Sequence, residues 1–528
     1  MTDPNTPLRI RRALFSASDK DGIAELAQAM AASGTEIVAT GRTAEVIAAA
    51  GVKVVPVEKL TGMPEAFQGR MKTLSFQICS GLLYRRGDAS DEADLAKLKI
   101  QPVDCVVVNF YPFEKAVASG AQGQALIEQV DIGGPTMVRS AAKNAPHVLT
   151  LTDPAQYGEV ISQLKSSGTV KAETVHRCAA RAWERIHEYD SAIRDQLGGR
   201  AVELRYGENP HQSGWLRVDS DSPIQWESPL TSNELSYNNI LDLSSAYGLA
   251  VELKLQWPDR TAVVIVKHNN PCGVALIPKG HSVNHAQLLA LEKAWEGDPV
   301  SAFGGVLVFT DPLGNGAAAW LAERFVEAVA APGLEGSEAL GLITAKRKKL
   351  KAVEIRRFEP PSGRWETRVA GGVILQTPDT GLGEELKTVT RAPFAPEAQD
   401  VARFGVAVCR SLKSNAVVLV RGLDGGGAQL VGAGQGQPNR VEALERLAVP
   451  RARRVLEDPG QKEKSEIGDC IFVSDAFFPF RDTVDVAHSA GIRAIVQPGG
   501  SIKDAESIAA CDEHGMAMAF TGVRHFRH

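Results

Sequence analysis

Hydrophobic and polar positions change rhythm repeatedly along this chain, and each change marks a new element. Over the first 150 residues, short apolar runs alternate with segments of helical period. The pattern predicts strands at 13–16, 36–39 and 53–57, a helix over 23–32 closed by Gly34, and a second helix opened by residues 40–43. Strands at 105–108 and 147–151 follow, with a helix after 131–136 carrying Arg139 and Lys143 on one face. Strands alternating with helices indicate α/β architecture, a parallel sheet whose site lies at the strands' carboxyl ends. Residues 1–10, polar with two prolines, read as a frayed tail. Helices are expected from 151 to about 196, and the glycine pair in 198–204 marks a linker. In the second half, the β-branched run 261–266 reads as a buried strand and 306–309 as another. A Pro/Gly-containing loop at 359–367 is expected to divide the second unit in two. No internal repeat is visible.

Composition narrows the class. The 58 basic and 63 acidic residues leave a net charge of −5, which argues against a dedicated nucleic-acid binder. An apolar content of 44% and a charged content of 23% are those of a globular enzyme with ample chain for its cores. The seven cysteines are scattered and form no C-x-x-C pair, so neither a disulfide framework nor a cysteine zinc site is indicated. No stretch resembles a signal peptide or reaches transmembrane length, so a cytoplasmic protein without membrane partners is expected.

Candidate chemistry gathers at loops. Lys267 and His268 end the 261–266 strand, offering a cation for a developing oxyanion beside a near-neutral base. Asn269, Asn270 and a Pro271-Cys272-Gly273 turn then stop the strand. An ordinary strand-end turn facing water fits the same residues. In the first half, loops 18–22 and 40–43 combine hydroxyls with glycine, so amides at helix N-termini could hold a phosphate, with Lys20 adding a point charge. Ordinary N-caps are the alternative. Lys20, Arg70, Lys72, Tyr111, Asp131 and Lys143 come from separate loops and strand ends, and their convergence on one rim is what a phosphorylated substrate requires. The basic run 346–351 reads as a solvated helix end. Residues 474–482 set aromatics against charges, either a shelf for a pterin-like heterocycle or a core edge. The glycine-rich segment ending at 440 lacks the dinucleotide spacing.

Five motifs then combine: S-x-SDK-x-G at 16–22, TG-x-TA at 40–44, GR-x-KTL at 69–74, N-x-YPF at 109–113 and DIGG-x-x-x-x-R-x-AAKN at 131–144. Together they resemble the inosine-monophosphate (IMP) cyclohydrolase domain of the bifunctional purine-biosynthesis family. Its partner activity is phosphoribosylaminoimidazolecarboxamide (AICAR) formyltransferase, and the resemblance extends from about Ala13 to the C-terminus. It implies a methylglyoxal-synthase-like parallel-sheet domain at 1–197, the linker 198–204, and a formyltransferase domain at 205–528 built from two cytidine-deaminase-like α/β subdomains. It also implies formyl transfer from 10-formyltetrahydrofolate to AICAR, then cyclisation of the product, FAICAR, to IMP with loss of water. The folate is a cosubstrate, no tightly bound cofactor or metal is implied, and no residue signals a monovalent cation. A homodimer with sites shared between subunits is implied as well.

Residue by residue, the resemblance makes His268 the base and Lys267 the oxyanion stabiliser of formyl transfer. Arg205, Tyr206, Asn239, Phe303, Gly304, Glu327, Asn415 and Arg524 would hold AICAR, the last despite its place in a terminus that usually frays. Arg440, Phe477, Pro479, Asp482, Ser501 and Ile502 would line the folate. For ring closure, Lys143 would be the acid/base, assisted by Lys72, Tyr111 and Asp131. Ser18, Asp19, Lys20, Thr40, Gly41, Arg42, Thr43, Arg70, Met71, Thr73, Asn109, Phe110, Ile132 and Gly133 would hold that nucleotide. The chain departs from the family at Arg42, where glycine is usual, at 75–80, where a histidine–proline segment is expected, and at Gly436-Gln437, which looks inserted. A formyltransferase with a weakened cyclohydrolase half is therefore one alternative. A zinc nucleoside deaminase is another, but it needs P-C-x-x-C, and Ala275 stands at the second cysteine position. A non-catalytic nucleotide-binding regulator would not need lysine or histidine at both sites.

Overall fold

The computed structural model describes residues 6–197, 201–227, 229–280, 282–381, 385–460 and 465–528. Two compact units divide the chain, Met1–Arg200 and Ala201–His528. Residues 198–200 of the expected linker lie outside the described residues.

In the first unit, β1 (Arg12–Phe15), β2 (Glu36–Ala39), β3 (Val54–Pro56), β4 (Cys105–Val107) and β5 (Leu149–Leu151) form one sheet, ordered β3-β2-β1-β4-β5. Every pairing is parallel. Alternate residues feed two core layers: Phe15, Ile37 and Val107 join one, Leu14, Val38 and Val106 the other. A strand covered on both faces needs such an apolar run, which is why the pattern was legible. Strand order reverses between β1 and β4, which opens a crevice at their carboxyl ends. The expected tail is partly docked. Leu8 exchanges backbone bonds of 2.7 and 2.8 Å with Val170, and Ile10 is buried.

The second unit opens with β6 (Ala201–Leu204) paired to β7 (Gly214–Arg217), so 201–204 is strand rather than free linker. Its main sheet contains β8 (Arg260–Lys267), β9 (Asn270–Pro278), β10 (Val306–Phe309), β11 (Ala328–Ala331) and β12 (Lys351–Glu354). A ribbon, β13 (Trp365–Val369) with β14 (Gly372–Gln376), stands apart and exposed. Then β15 (Lys387–Thr388), β16 (Val417–Leu423), β17 (Gly427–Gly434), β18 (Ile471–Ser474), β19 (Ala494–Gln497) and β20 (Ala517–Phe520) complete the main sheet. Its order is β12-β11-β10-β8-β9-β17-β16-β18-β19-β20-β15. Each half is a hairpin followed by three parallel strands, and antiparallel β9–β17 pairing joins the halves. One core layer runs across both, from Leu249 and Val264 to Phe404 and Val473, while the opposite face carries two separate clusters.

The glycine-rich segment has a packing cause. A Cβ on Gly434 would lie 2.0 Å from the Ala443 carbonyl, and one on Gly432 would lie 2.3 Å from that of Ala448. Helical backbone lies directly on β17 and leaves room only for hydrogen. Among the described residues, no helix is long and apolar enough to cross a membrane.

Candidate functional sites

At the first unit's crevice, the β1 loop is tied to the end of β4. Asp19 N–H donates to Asn109 Oδ1 at 2.8 Å, Asn109 Nδ2 returns a bond to Asp19 C=O at 2.9 Å, and Ser18 N–H reaches Asn109 C=O. Lys20 Nζ folds back onto the Ser18 and Ala17 carbonyls at 3.0 and 3.3 Å. Thr40 caps the Gly41–Ala49 helix by position alone, its hydroxyl donating to Ser16 Oγ at 3.3 Å rather than accepting from the helix amides. Buried Thr43 staples the two loops, its Oγ1 donating to Ala17 C=O at 3.1 Å. Gly41 has φ 39°, and a Cβ there would sit 3.0 Å from Lys72 Nζ, so Lys72 reaches this helix start. Arg42 is exposed.

The Gly133–Lys143 helix brings the rest. Asp131 accepts from Gly134 N–H at 2.9 Å, and the Gly133 and Tyr111 amides also face it. Burial pushes its carboxyl up, and those amides oppose the rise. Thr73 Oγ1 would be 2.7 Å from a Cβ on Gly133. Tyr111, Ile132 and Met71 are exposed at this rim, while Lys72 pairs with Glu65 at 2.7 Å and Arg70 with Glu128 at 3.0 Å.

Two side chains lie away from the rim. Phe110 is 5% exposed, with its ring 4.9 Å from that of Tyr189, so its side chain packs in the core. Lys143 does not share the rim. It ends the helix that Gly133 begins, ten residues and ~15 Å away. Its neighbour Asn144 donates to the Leu82 and Tyr84 carbonyls at 2.6 and 2.9 Å. Arg86 nearby bonds Asp104 just before β4, which places Lys143 at the opposite edge of the sheet. The spacing showed that Arg139 and Lys143 share a face but not which end of the sheet that face serves. Arg139 instead pairs with Asp190. The departing segment at 75–80 is an ordinary helix, Phe76–Leu83, capped by Ser75 Oγ.

In the second unit, Lys267 ends β8, and His268 and Asn269 form the two-residue hairpin turn that leads into β9. His268 and Asn269 have φ 53° and 63°, both left-handed, as a type I′ turn requires. Pro271, Cys272 and Gly273 therefore do not form the expected turn. They lie in β9, where the register shifts: Pro271 faces Val266 and Gly273 faces Ile265, which leaves Cys272 as the extra residue of a bulge. Burial pushes the Cys272 thiol up to about 12, the opposite of a zinc thiolate.

Around the turn, Lys267 Nζ donates to Phe303 C=O at 2.7 Å, keeping two further protons for another acceptor. Exposed Phe303 sets its ring 5.2 Å from that of Phe325, and Gly304 turns at φ 72°. Buried Asn239 donates to Glu327 Oε2 at 2.7 Å. Asp242, which sequence reasoning missed, accepts from both turn amides, Asn269 N–H at 2.6 Å and His268 N–H at 3.2 Å. The capping box Ser236–Asn239 that fixes its helix was the available signal. A cavity of about 160 Å³ beside the turn reaches from Lys267 and His268 to Asp298, Gln435 and Arg451. Arg205 and Tyr206 follow β6, the guanidinium 5.7 Å from the ring.

The remaining residues lie on the same sheet edge. Val266 pairs with Val306, and Val417 with both Gly434 and Ser474, so β8, β17 and β18 end, and β10 and β16 begin, along one rim. Asn415 precedes β16, with Nδ2 on the Gln437 and Pro438 carbonyls at 3.0 Å; the apparent insertion at 436–437 is part of this loop. Phe477 is half-buried, Pro479 and Asp482 are exposed before and at the start of the Asp482–Ala490 helix, and buried Phe478 stacks on Phe472. Ser501 and exposed Ile502 follow β19. Arg524 is exposed, but its surroundings are not frayed: His525 N–H donates to Asp475 C=O and its ring meets Asp379 at 2.9 Å.

Arg440 departs from its expected role as a folate ligand. It is buried, with Nη2 on Asp475 Oδ1 and Asn415 Oδ1 at 2.9 Å and Nη1 on the Phe477 carbonyl. A buried carboxylate needs such a partner, so the guanidinium is committed to shaping the loop. From β8 to β18 is four strand spacings, roughly 19 Å. The Lys267–Glu327 group and the Asn415–Arg524 group are thus two clusters on one rim.

Comparison with known proteins shows the family of the chain. A family model described as AICARFT/IMPCHase bienzyme matches residues 141–451, and one described as MGS-like domain matches 22–136. These matches and the fold together define the class, a two-unit α/β bienzyme with an MGS-like first unit. Curated relatives named bifunctional purine biosynthesis protein PurH are 40% identical in Persephonella marina and Anaeromyxobacter sp. strain K, covering 98% of this chain and 100% of each relative. The Mesorhizobium japonicum protein of that name is 41% identical, covering 98% and 97%. The solved structure described as crystal structure of ForH is 31% identical over 36% of this chain and all of its own, at a TM-score of 0.32. The chain belongs to the bifunctional purine biosynthesis protein family: it is an AICAR formyltransferase and IMP cyclohydrolase of de novo purine synthesis.

Proposed function

We propose that formyl transfer occurs at the β8–β9 turn and ring closure at the β1/β4 crevice, each with the residues gathered there. In the first step, the 5-amine of AICAR attacks the formyl carbon of 10-formyltetrahydrofolate. That amine is a poor nucleophile because its lone pair delocalises into the ring. His268 takes its proton, and Lys267, already oriented by Phe303, stabilises the oxyanion; the adduct then collapses with cleavage of the bond to folate N10, which takes up a proton and leaves as tetrahydrofolate. Asn239, Gly304, Glu327, Arg205 and Tyr206 hold AICAR on one side. Asn415 and Arg524 complete its site, and Phe477, Pro479, Asp482, Ser501 and Ile502 hold the folate. The ~19 Å between the two clusters supports a homodimer in which each site takes one cluster from each subunit.

In the second step, the carboxamide nitrogen attacks the formyl carbon and water leaves. Asp131, Lys72 and Tyr111 act at the start of the Gly133–Lys143 helix. Its amides, with the Ser18–Lys20 and Thr40–Thr43 loops, hold the nucleotide, and Arg42 adds a phosphate contact. Lys143, the acid/base that the resemblance implies, then acts only on a nucleotide held by the partner subunit. We place the enzyme in the cytoplasm. The observation that carries this reading is the Lys267–His268 pair held on a rigid turn beside Glu327 and Asn239. Full-length protein given AICAR and 10-formyltetrahydrofolate should yield IMP and tetrahydrofolate. FAICAR accumulating without IMP would refute the assignment of the first unit's site.

A further inference from the structure

A hairpin turn with two non-glycine residues at positive φ is a costly place for a base. Asparagine tolerates this conformation, but histidine gains nothing from it, and such positions cost on the order of 1 kcal/mol or more each. The surrounding structure supplies the compensation. Both amides of the turn end on one carboxylate, Asp242, at 2.6 and 3.2 Å. The two carbonyls are engaged as well: Asn270 Nδ2 donates to His268 C=O at 2.8 Å, and Ser245 Oγ to Asn269 C=O at 3.2 Å. Asp242 and Ser245 lie on the Tyr237–Gln256 helix, whose first turn also presents Asn239 to Glu327. One rigid helix thus sets the turn and the substrate-side carboxylate together. The His268 side chain itself is exposed, so its aim depends on the backbone beneath it.

We infer that Asp242 is a positioning residue for formyl transfer, holding the His268–Asn269 turn in its left-handed form so that the imidazole meets the reacting amine. This rests on His268 being the base. Asp242 touches neither substrate nor the reacting atoms in this scheme. It acts by fixing two backbone amides, one on each carboxyl oxygen. A displaced base costs up to about 100-fold in rate, so loss of the clamp should lower turnover without abolishing it.

The test uses the full-length enzyme. Asp242→Asn retains size but turns an N–H₂ toward one amide. We expect kcat for formyl transfer to fall ~10- to 100-fold, KM for AICAR to stay within about threefold, and cyclisation of supplied FAICAR to be unchanged. Adding Asn269→Gly to this variant removes the strain at the second turn position, because glycine is the preferred residue there. The double variant should regain most of the lost kcat. Wild-type kcat in Asp242→Asn overturns the inference, as does a loss that Asn269→Gly leaves unrepaired or one confined to KM. If Asp242→Asn does not fold, the double variant decides alone: near-wild-type kcat supports the inference, and kcat at the level of His268→Ala overturns it. His268→Ala separates the two readings, since full formyl transfer in that variant removes the base assignment itself.

Discussion

The placement of Lys143 leads to a quantitative prediction. Ten helical rises separate it from Gly133, ~15 Å along the axis. A fully extended lysine reaches roughly 6 Å by standard bond lengths. About 9 Å therefore remains between its ammonium and the Asp131 rim of the same chain. A proton transfer needs heavy atoms ~3 Å apart, so the proposed acid/base role of Lys143 requires a second subunit. Asp131→Asn and Lys143→Ala, each made in the full chain, should both lower FAICAR cyclisation by ~10²-fold or more. Co-expressing the two with different tags and isolating the mixed dimer gives one site with both residues intact and one with neither. That dimer should recover about half of the wild-type rate. Cyclisation is read by IMP formation from supplied FAICAR, with formyl transfer as the control for folding. A mixed dimer no better than its parents would refute action across subunits. Full activity in Lys143→Ala would refute the acid/base role itself.

Three further outcomes follow from the geometry. His268→Ala should depress formyl transfer ~10²- to 10⁴-fold and leave cyclisation intact; equal loss of both, read on one preparation, would remove the two-site scheme. Arg440→Lys should destabilise the second unit by ~3 kcal/mol in urea unfolding, because an ammonium cannot replace the planar guanidinium's bonds to Asp475, Asn415 and Phe477 together. Weakened folate binding with unchanged stability would restore Arg440 as a direct ligand. Burial drives the Glu252 carboxyl up to about 8, against the pull of Arg410. The folded state then keeps a proton that the unfolded chain releases, so this stability is full below about 4.5 and is lost as pH rises through about 8. Glu252→Gln should flatten that alkaline decline by on the order of 2 kcal/mol between pH 6 and 9, measured by denaturant titration; identical profiles would show that Glu252 is already ionised.

What the sequence determined is local. The parallel sheet of the first unit was legible because strands buried on both faces must be largely apolar, and β1, β2, β4 and β5 are. The Ser18–Lys20 and Thr40–Thr43 loops and the Lys267–His268 pair were legible because helix starts and strand ends have their own residue chemistry. Tertiary structure decided whatever depends on partners distant along the chain. The same Pro-Cys-Gly that reads as a turn is strand once β9 pairs with β8, because an asparagine after two left-handed residues starts the return strand. Arg440 reads as a free cation until Asp475, 35 residues away, is folded against it. Phe110 reads as part of a site motif until Tyr189 covers it. The repeat in the second unit leaves no visible residue pattern because the two halves share burial and pairing rather than residues. Lys143 carries the same lesson. Periodicity tells which residues share a helix face, but the end of the sheet that face meets is set by how the helix packs, and no local signal encodes that.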